Sequence, residues 1–137
     1  MFELGEIRKK LKGVKLLYVE DDVIIRTQLV KVLQKIDIEV HTANDGREGL
    51  QMALENQYSL IITDHIMPHM NGLEMIENLR KSQLKIPIIM ISAFNHQGFE
   101  DDCLRLDINS ILVKPTSVNL LLDHLVQFLS LSDKALT

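Results

Sequence analysis

The chain of 137 residues has no tryptophan, and its 4% aromatic content comes from two tyrosines and four phenylalanines. The core must therefore be aliphatic, and there are too few rings for the stacking platforms that hold single-stranded nucleic acid. A basic excess is also missing. The net charge of −4 argues against a binder of phosphate backbones, and the Arg8-Lys9-Lys10 and Lys12 to Lys15 charges read as a solvated helix face. The single cysteine, Cys103, excludes an internal disulfide and fits a reducing compartment, with the thiol packed as a small apolar group. Glu3 and Glu6 stand where a signal peptide carries cations, and the longest apolar runs, such as Ile86 to Ile91, fall far short of the ~20 residues a bilayer requires. Internal repeats and low-complexity segments are absent. Together these features predict one cytoplasmic globular domain with no membrane and no direct nucleic-acid partner.

What is present is an alternation. Five short apolar runs, Lys15 to Val19, Ile38 to Thr42, Ser59 to Thr63, Ile86 to Ile91 and Ser110 to Val113, are separated by segments of helical period. That pattern predicts an α/β fold, a doubly wound parallel sheet of five strands with five flanking helices. In the first helix Ile25, Leu29, Val32, Leu33 and Ile36 share one face, with Arg26, Lys31 and Lys35 opposite. Asn44 or Asp45 caps a second helix, which carries Leu50, Ala53 and Leu54 inward. Leu73, Ile76 and Leu79 mark a third after Asn71-Gly72, and Phe99, Cys103 and Leu106 a fourth from about Gln97, with Glu100-Asp101-Asp102 near its N-terminus. The last follows Pro115, capped by Ser117, with Val118, Leu121, Leu122, Leu125 and Leu129 as its buried stripe. Leu120, Val126 and Phe128 exceed what one stripe needs, which suggests a dimer or contact with an output domain. Residues 1–13 read as an extension with a short helix from Leu4 to Leu11, residues 14–130 as the domain, and residues 131–137 as a tail or the start of a linker in a longer protein.

The carboxyl ends of these runs are polar. Glu20-Asp21-Asp22 follow the first, Asp64 closes the third ahead of the breaker stretch Met67 to Gly72, Ser92 follows the fourth and Lys114 the fifth. In a parallel sheet these ends converge on one edge, where open α/β folds place their sites. Two carboxylates ~4 Å apart repel by ~4 kcal/mol at an effective dielectric near 20, a large fraction of a small domain's stability. Protonating one acid, the Lys114 ammonium or a hard divalent cation would each relieve the repulsion. An all-oxygen cluster with room for water suits Mg²⁺ in particular, with Mn²⁺ as the second choice. Mg²⁺ on one or two carboxylates usually reserves a position for a phosphate oxygen, to which Ser92 can donate a hydrogen bond and Lys114 can bring a compact positive charge.

The segments Leu16-Leu17-Tyr18-Val19-Glu20-Asp21-Asp22, Leu60 to Gly72, Ile88-Ile89-Met90-Ile91-Ser92-Ala93 and Ile111-Leu112-Val113-Lys114-Pro115 resemble the receiver domains of two-component response regulators. The resemblance spans about residues 14 to 130, with all four motifs in order and each at a strand end. It implies a flavodoxin-like strand order 2-1-3-4-5 and a Mg²⁺-dependent phosphoacceptor, Asp64, charged by a sensor histidine kinase or a His-containing phosphotransfer domain. It further implies that Asp21 binds the metal directly and Glu20 through water, joined by Asp64 and the backbone carbonyl of Ile66. Ser92 becomes the switch hydroxyl and Lys114 the phosphate contact, with a cis Lys114-Pro115 bond. The expected protein is a phosphoprotein of signal transduction that assists its own phosphorylation and dephosphorylation without being a turnover enzyme. Its switched surface would be read by a downstream protein or an attached output domain.

Several residues depart from that pattern. Ile111 stands where the family usually has an aromatic switch, and Asp107-Ile108 replaces a pair of small residues. Ile66 and Phe94, each two past a site residue, put bulky apolar groups beside the path of attacking water and suggest a long-lived phosphoryl state. Asp22 matches no site position and reads as the start of the first helix. His65 and His69 have helical ligand spacing, but Pro68 between them makes a loop. His41, His96 and His124 read onto solvated faces, and Met52, Met67, Met70, Met75 and Met90 as core filler. Two other classes compete: an aspartate-nucleophile phosphohydrolase, which usually carries a second aspartate where this chain has Ile66, and an inert receiver-like interaction module.

Overall fold

The computed structural model describes residues 3–93 and 98–136, with side chains described as far as Leu129. In chain order the elements are α1 (Leu4–Lys10), β1 (Lys15–Val19), α2 (Val23–Lys35), β2 (Glu39–Ala43), α3 (Gly46–Glu55), β3 (Leu60–Asp64), α4 (Gly72–Lys81), β4 (Ile88–Ser92), α5 (Phe99–Arg105), β5 (Ser110–Val113) and α6 (Val118–Leu136). The strands form one parallel sheet in the order β2-β1-β3-β4-β5, the doubly wound, flavodoxin-like topology. Successive side chains along each strand point to opposite faces of the sheet, so each run feeds two cores. Leu16, Tyr18, Leu60, Ile62, Ile89 and Ile91 pack under α2 and α6, while Leu17, Val19, Ile61, Ile88 and Met90 pack under the helices of the other face. A sheet covered on both sides needs apolar residues at consecutive positions, which is why these strands read as unbroken runs. Each fully buried Leu or Ile contributes about 1.5–3 kcal/mol.

Helix starts are set by short polar side chains. Asp22 Oδ1 accepts from Ile24 N and Ile25 N at 2.9 and 3.0 Å, Asp45 Oδ1 from Glu48 N at 2.9 Å, and Ser117 Oγ from Leu120 N at 3.0 Å. Asn71 and Glu74 form a reciprocal capping box at the start of α4. Two glycines bring loops against the sheet edge: a Cβ at Gly72 would strike the carbonyl oxygen of Asp64, and one at Gly46 that of Met70.

Several expectations are corrected. β2, β3 and β4 each reach one residue further than their apolar runs suggested, so Asp64 and Ser92 are the last residues of their strands. Leu54 is 52% exposed, and Ile25 and Val118 also face outward, because the inward arcs of α3, α2 and α6 are narrower than the apolar stripes. The surplus on α6 has a partner within the chain. α1 packs against α6, burying Ile7 and Leu11 in the core that contains Val126 and takes in Phe128, which leaves only Leu120 of the three exposed. Arg8 fastens α1 to the end of α2 by donating from Nε and Nη2 to Lys35 O at 2.8 and 2.6 Å. α6 continues to Leu136, across residues read above as a tail. His41 is not simply solvated. It bonds the Tyr58 hydroxyl at 2.9 Å and pairs with Glu39 at 3.2 Å, while His124 meets Ser110 Oγ at 3.2 Å. Phe94 and His96 lie outside the described residues. No helix among the described residues is long and apolar enough to cross a membrane.

Candidate phosphoryl-acceptor site

The site follows from register. β1 pairs with β3 through Val19 and Thr63, and β3 with β4 through Asp64 and Ile91, so Glu20, Asp64 and Ser92 emerge side by side from adjacent strands. Lys114 closes the row from β5, its N–H donating to Ser92 O at 2.7 Å, and the Lys114-Pro115 bond is cis. Glu20, Asp64 and Ser92 are buried, and Asp21 is exposed at the rim. One oxygen from each of Glu20, Asp21 and Asp64 lies within 4.8 Å of the others. Lys114 Nζ sits 3.0 Å from Asp64 Oδ1 and 3.9 Å from Glu20 Oε1.

Three carboxylates against one ammonium leave the crevice with an excess of negative charge, and Glu20 registers it. Burial first, and then the charge of Asp64, push its carboxyl up to about 7, against the pull of the Asp22 N–H and Lys114. Asp22 N donates to Glu20 Oε2 at 3.2 Å, and Arg26 Nη1 donates to Glu20 O at 2.7 Å. Arg26 thus holds the acidic turn instead of standing with the solvent face of α2. Beneath, burial and both acids push the Tyr18 phenol far up, so it stays protonated and hydrogen-bonds Glu20. Asp64 Oδ1 also accepts from His65 N at 2.8 Å. This donor set fits a hard divalent cation on three grounds: it is all oxygen, it is compact, and its uncompensated charge already penalises the ionised form of Glu20.

Of the residues singled out in the sequence, Glu20, Asp21, Asp64 and Lys114 cluster by measured distance, and Ser92 is placed beside them by register. Ile66 lies in the loop beyond Asp64 and is 61% exposed. Sequence reasoning missed Tyr18, Arg26 and the ring pair His65–Phe99. The first two carried a signal, namely a polar group facing a strand-end acid from two and six residues away. The ring pair had none, because its members are distant in sequence. A cleft of about 650 Å³ opens beside the acids between α2 and α6, lined by Ile25, Leu29, Val118, Leu121, Lys114 and Thr116 among others.

Comparison with known proteins gives a consistent result. Residues 16–126 match the family model described as the response regulator receiver domain. The transcriptional regulatory protein SrrA of Staphylococcus aureus is 31% identical over 102 residues, which is 74% of this chain and 42% of that protein. The chain thus spans less than half the length of the curated relatives it matches. Among solved structures, the chemotaxis protein CheY4 of Vibrio cholerae aligns with a TM-score of 0.76 and 34% identity, covering 83% of this chain and 97% of that one. The N-terminal domain of an uncharacterized Wolinella succinogenes protein aligns with a TM-score of 0.79 and 31% identity, covering 88% and 99%.

Proposed function

The chain belongs to the response regulator receiver domains, and from that premise we propose that Asp64 is a phosphoacceptor charged by a histidine kinase or a His-containing phosphotransfer domain. The observation that carries this reading is the 3.0 Å pairing of Lys114 with a buried strand-end carboxylate that shares its crevice with Glu20 and Asp21. An Asp64 oxygen attacks phosphorus, the bond from phosphorus to the donor imidazole nitrogen breaks, and its electron pair stays on that nitrogen. Lys114 follows the charge onto the phosphoryl oxygens, and the Ser92 hydroxyl donates to one of them. Glu20, Asp21, Asp64 and the Ile66 carbonyl would hold Mg²⁺, or Mn²⁺ in its place, which when bound neutralises the phosphoryl and carboxylate oxygens. The donor enters by the cleft between α2 and α6, where Ile25 and Val118 offer apolar surface beside Lys114.

Residues 14–130 form the receiver unit in this reading, and the phosphoryl state is read by a downstream protein or an attached output domain in the cytoplasm. The protein assists its own phosphorylation and dephosphorylation without turning over a substrate. Incubation with Mg²⁺ and a small acyl phosphate should add one phosphoryl group by intact mass, and Asp64→Asn should abolish the gain. No gain in the unaltered chain would sink the proposal, and multiple turnover on a phosphate ester would favour the phosphohydrolase instead.

A further inference from the structure

His65 follows Asp64 at the mouth of β3, yet it is buried, with its ring stacked on that of Phe99 at a centroid distance of 4.6 Å and an inclination of 30°. Its backbone N–H faces two acceptors, Asp64 Oδ1 at 2.8 Å and Ile91 O at 3.2 Å. The same Oδ1 takes the Lys114 ion pair. Phe99 is wholly buried and is the first residue of α5, a helix of 7 residues. The residue before it, Gly98, has φ +92° and provides no side-chain cap, so α5 begins at a flexible type of backbone with Phe99 as its deepest anchor. The outer face of α5 carries Leu104, 77% exposed. Contacts therefore run without a gap from the Asp64 carboxylate, through one peptide unit and two stacked rings, to the start of a short helix.

We infer that the His65–Phe99 stack transmits the phosphorylation state of Asp64 to α5. The inference rests on the proposed role of Asp64 and names how that site is read. A hydrogen bond to an ionised carboxylate is roughly twice as strong as one to a neutral acceptor. Once either oxygen of Asp64 carries a phosphoryl group, the delocalised carboxylate charge is gone and Lys114 is drawn to the new oxygens. The His65 N–H then gains relatively from Ile91 O, which is a differential interaction of the kind a two-state shift requires. The peptide carries its ring with it, and because a close-packed core does not absorb the displacement, Phe99 moves α5. Ile111, half-buried and aliphatic on β5, has no ring to make an equivalent movement. His65 and Phe99 are positioning residues, since neither side chain touches the reacting atoms.

The chain's lack of tryptophan supplies the test. With Leu104→Trp as the single reporter, addition of Mg²⁺ and an acyl phosphate should change the indole emission while intact mass records occupancy. In Phe99→Leu and His65→Leu backgrounds the emission change should fall by about threefold or more at equal occupancy. His65→Phe, which keeps a ring on Phe99, should retain it, and Ile111→Val should leave it unaltered. An emission change in the two leucine variants as large as in the reporter protein itself, at equal occupancy, overturns the inference, as does a mass gain in the reporter protein with no emission change. A reporter protein that gains no mass overturns the proposed role of Asp64 and this inference with it. If Phe99→Leu loses its far-ultraviolet helical signal, His65→Leu decides.

Discussion

The two edges of the sheet handle charge in opposite ways. At the amino edge, arginines meet neutral acceptors. Arg80 donates from Nε to Leu106 O at 2.7 Å, from Nη1 to Leu84 O and Ile86 O at 2.9 and 3.0 Å, and from Nη2 to Asp107 O at 3.1 Å, closing the loops that enter β4 and β5. Arg8 does the same at the end of α2. At the carboxyl edge, Glu20 and Asp64 are buried together beside Asp21, with one lysine to balance them. The amino edge satisfies orphan carbonyls and so stabilises the fold. The carboxyl edge holds like charges in a low-dielectric crevice, a destabilising arrangement that a rigid sheet can support.

Breaking the amino edge should have the largest effect. Arg80→Ala removes four hydrogen bonds to carbonyls, three of them part-buried, and should cost about 3 kcal/mol in urea unfolding, and a loss below about 1 kcal/mol would show that water replaces the guanidinium. Leu11→Ala should cost about 3 kcal/mol, because Leu11 is fully buried where α1 meets α6, whereas a dispensable extension would lose almost nothing.

The carboxyl edge should respond to pH. The Glu20 carboxyl lies above its ordinary value of 4.5, at about 7, so between those values the folded chain binds more protons than the unfolded chain. Stability therefore falls as pH rises from 5 to 8 in chelator, by about 2 kcal/mol from this group. Glu20→Gln should flatten that slope, and an unchanged slope would place the cause elsewhere. The smallest effect is the metal's. At about ten times its dissociation constant Mg²⁺ should add about 1.4 kcal/mol, and Asp21→Ala should remove most of that gain. Equal gains in both proteins would take Asp21 out of the ligand set.

Much of this was legible because the governing interactions are local. Apolar runs bounded by breakers marked the strands, and Asp22, Asp45, Asn71 and Ser117 marked helix starts through bonds spanning only two or three residues. Strand-end polarity then pointed to Glu20, Asp21, Asp64, Ser92 and Lys114 before any geometry was available. Reading failed mostly where the partner was remote, Tyr18 and Arg26 beside Glu20 being the local exceptions. Val126 and Phe128 looked surplus until α1 was found against α6, and Leu54 looked buried because periodicity gives the direction of a stripe but not the width of the surface that covers it.

What the sequence by itself determined is therefore the set of elements, their caps and which polar residues meet at the carboxyl edge, since these depend on side-chain period and on which residues end each apolar run. Only the tertiary structure decided that α1 completes the core, that Arg26 and Tyr18 brace Glu20, and that the ring of His65 rests on Phe99. The ring pair joins residues 34 positions apart and α1 meets α6 from more than 100 positions away, and such pairs are chosen by the packing of the whole sheet and its two helical layers.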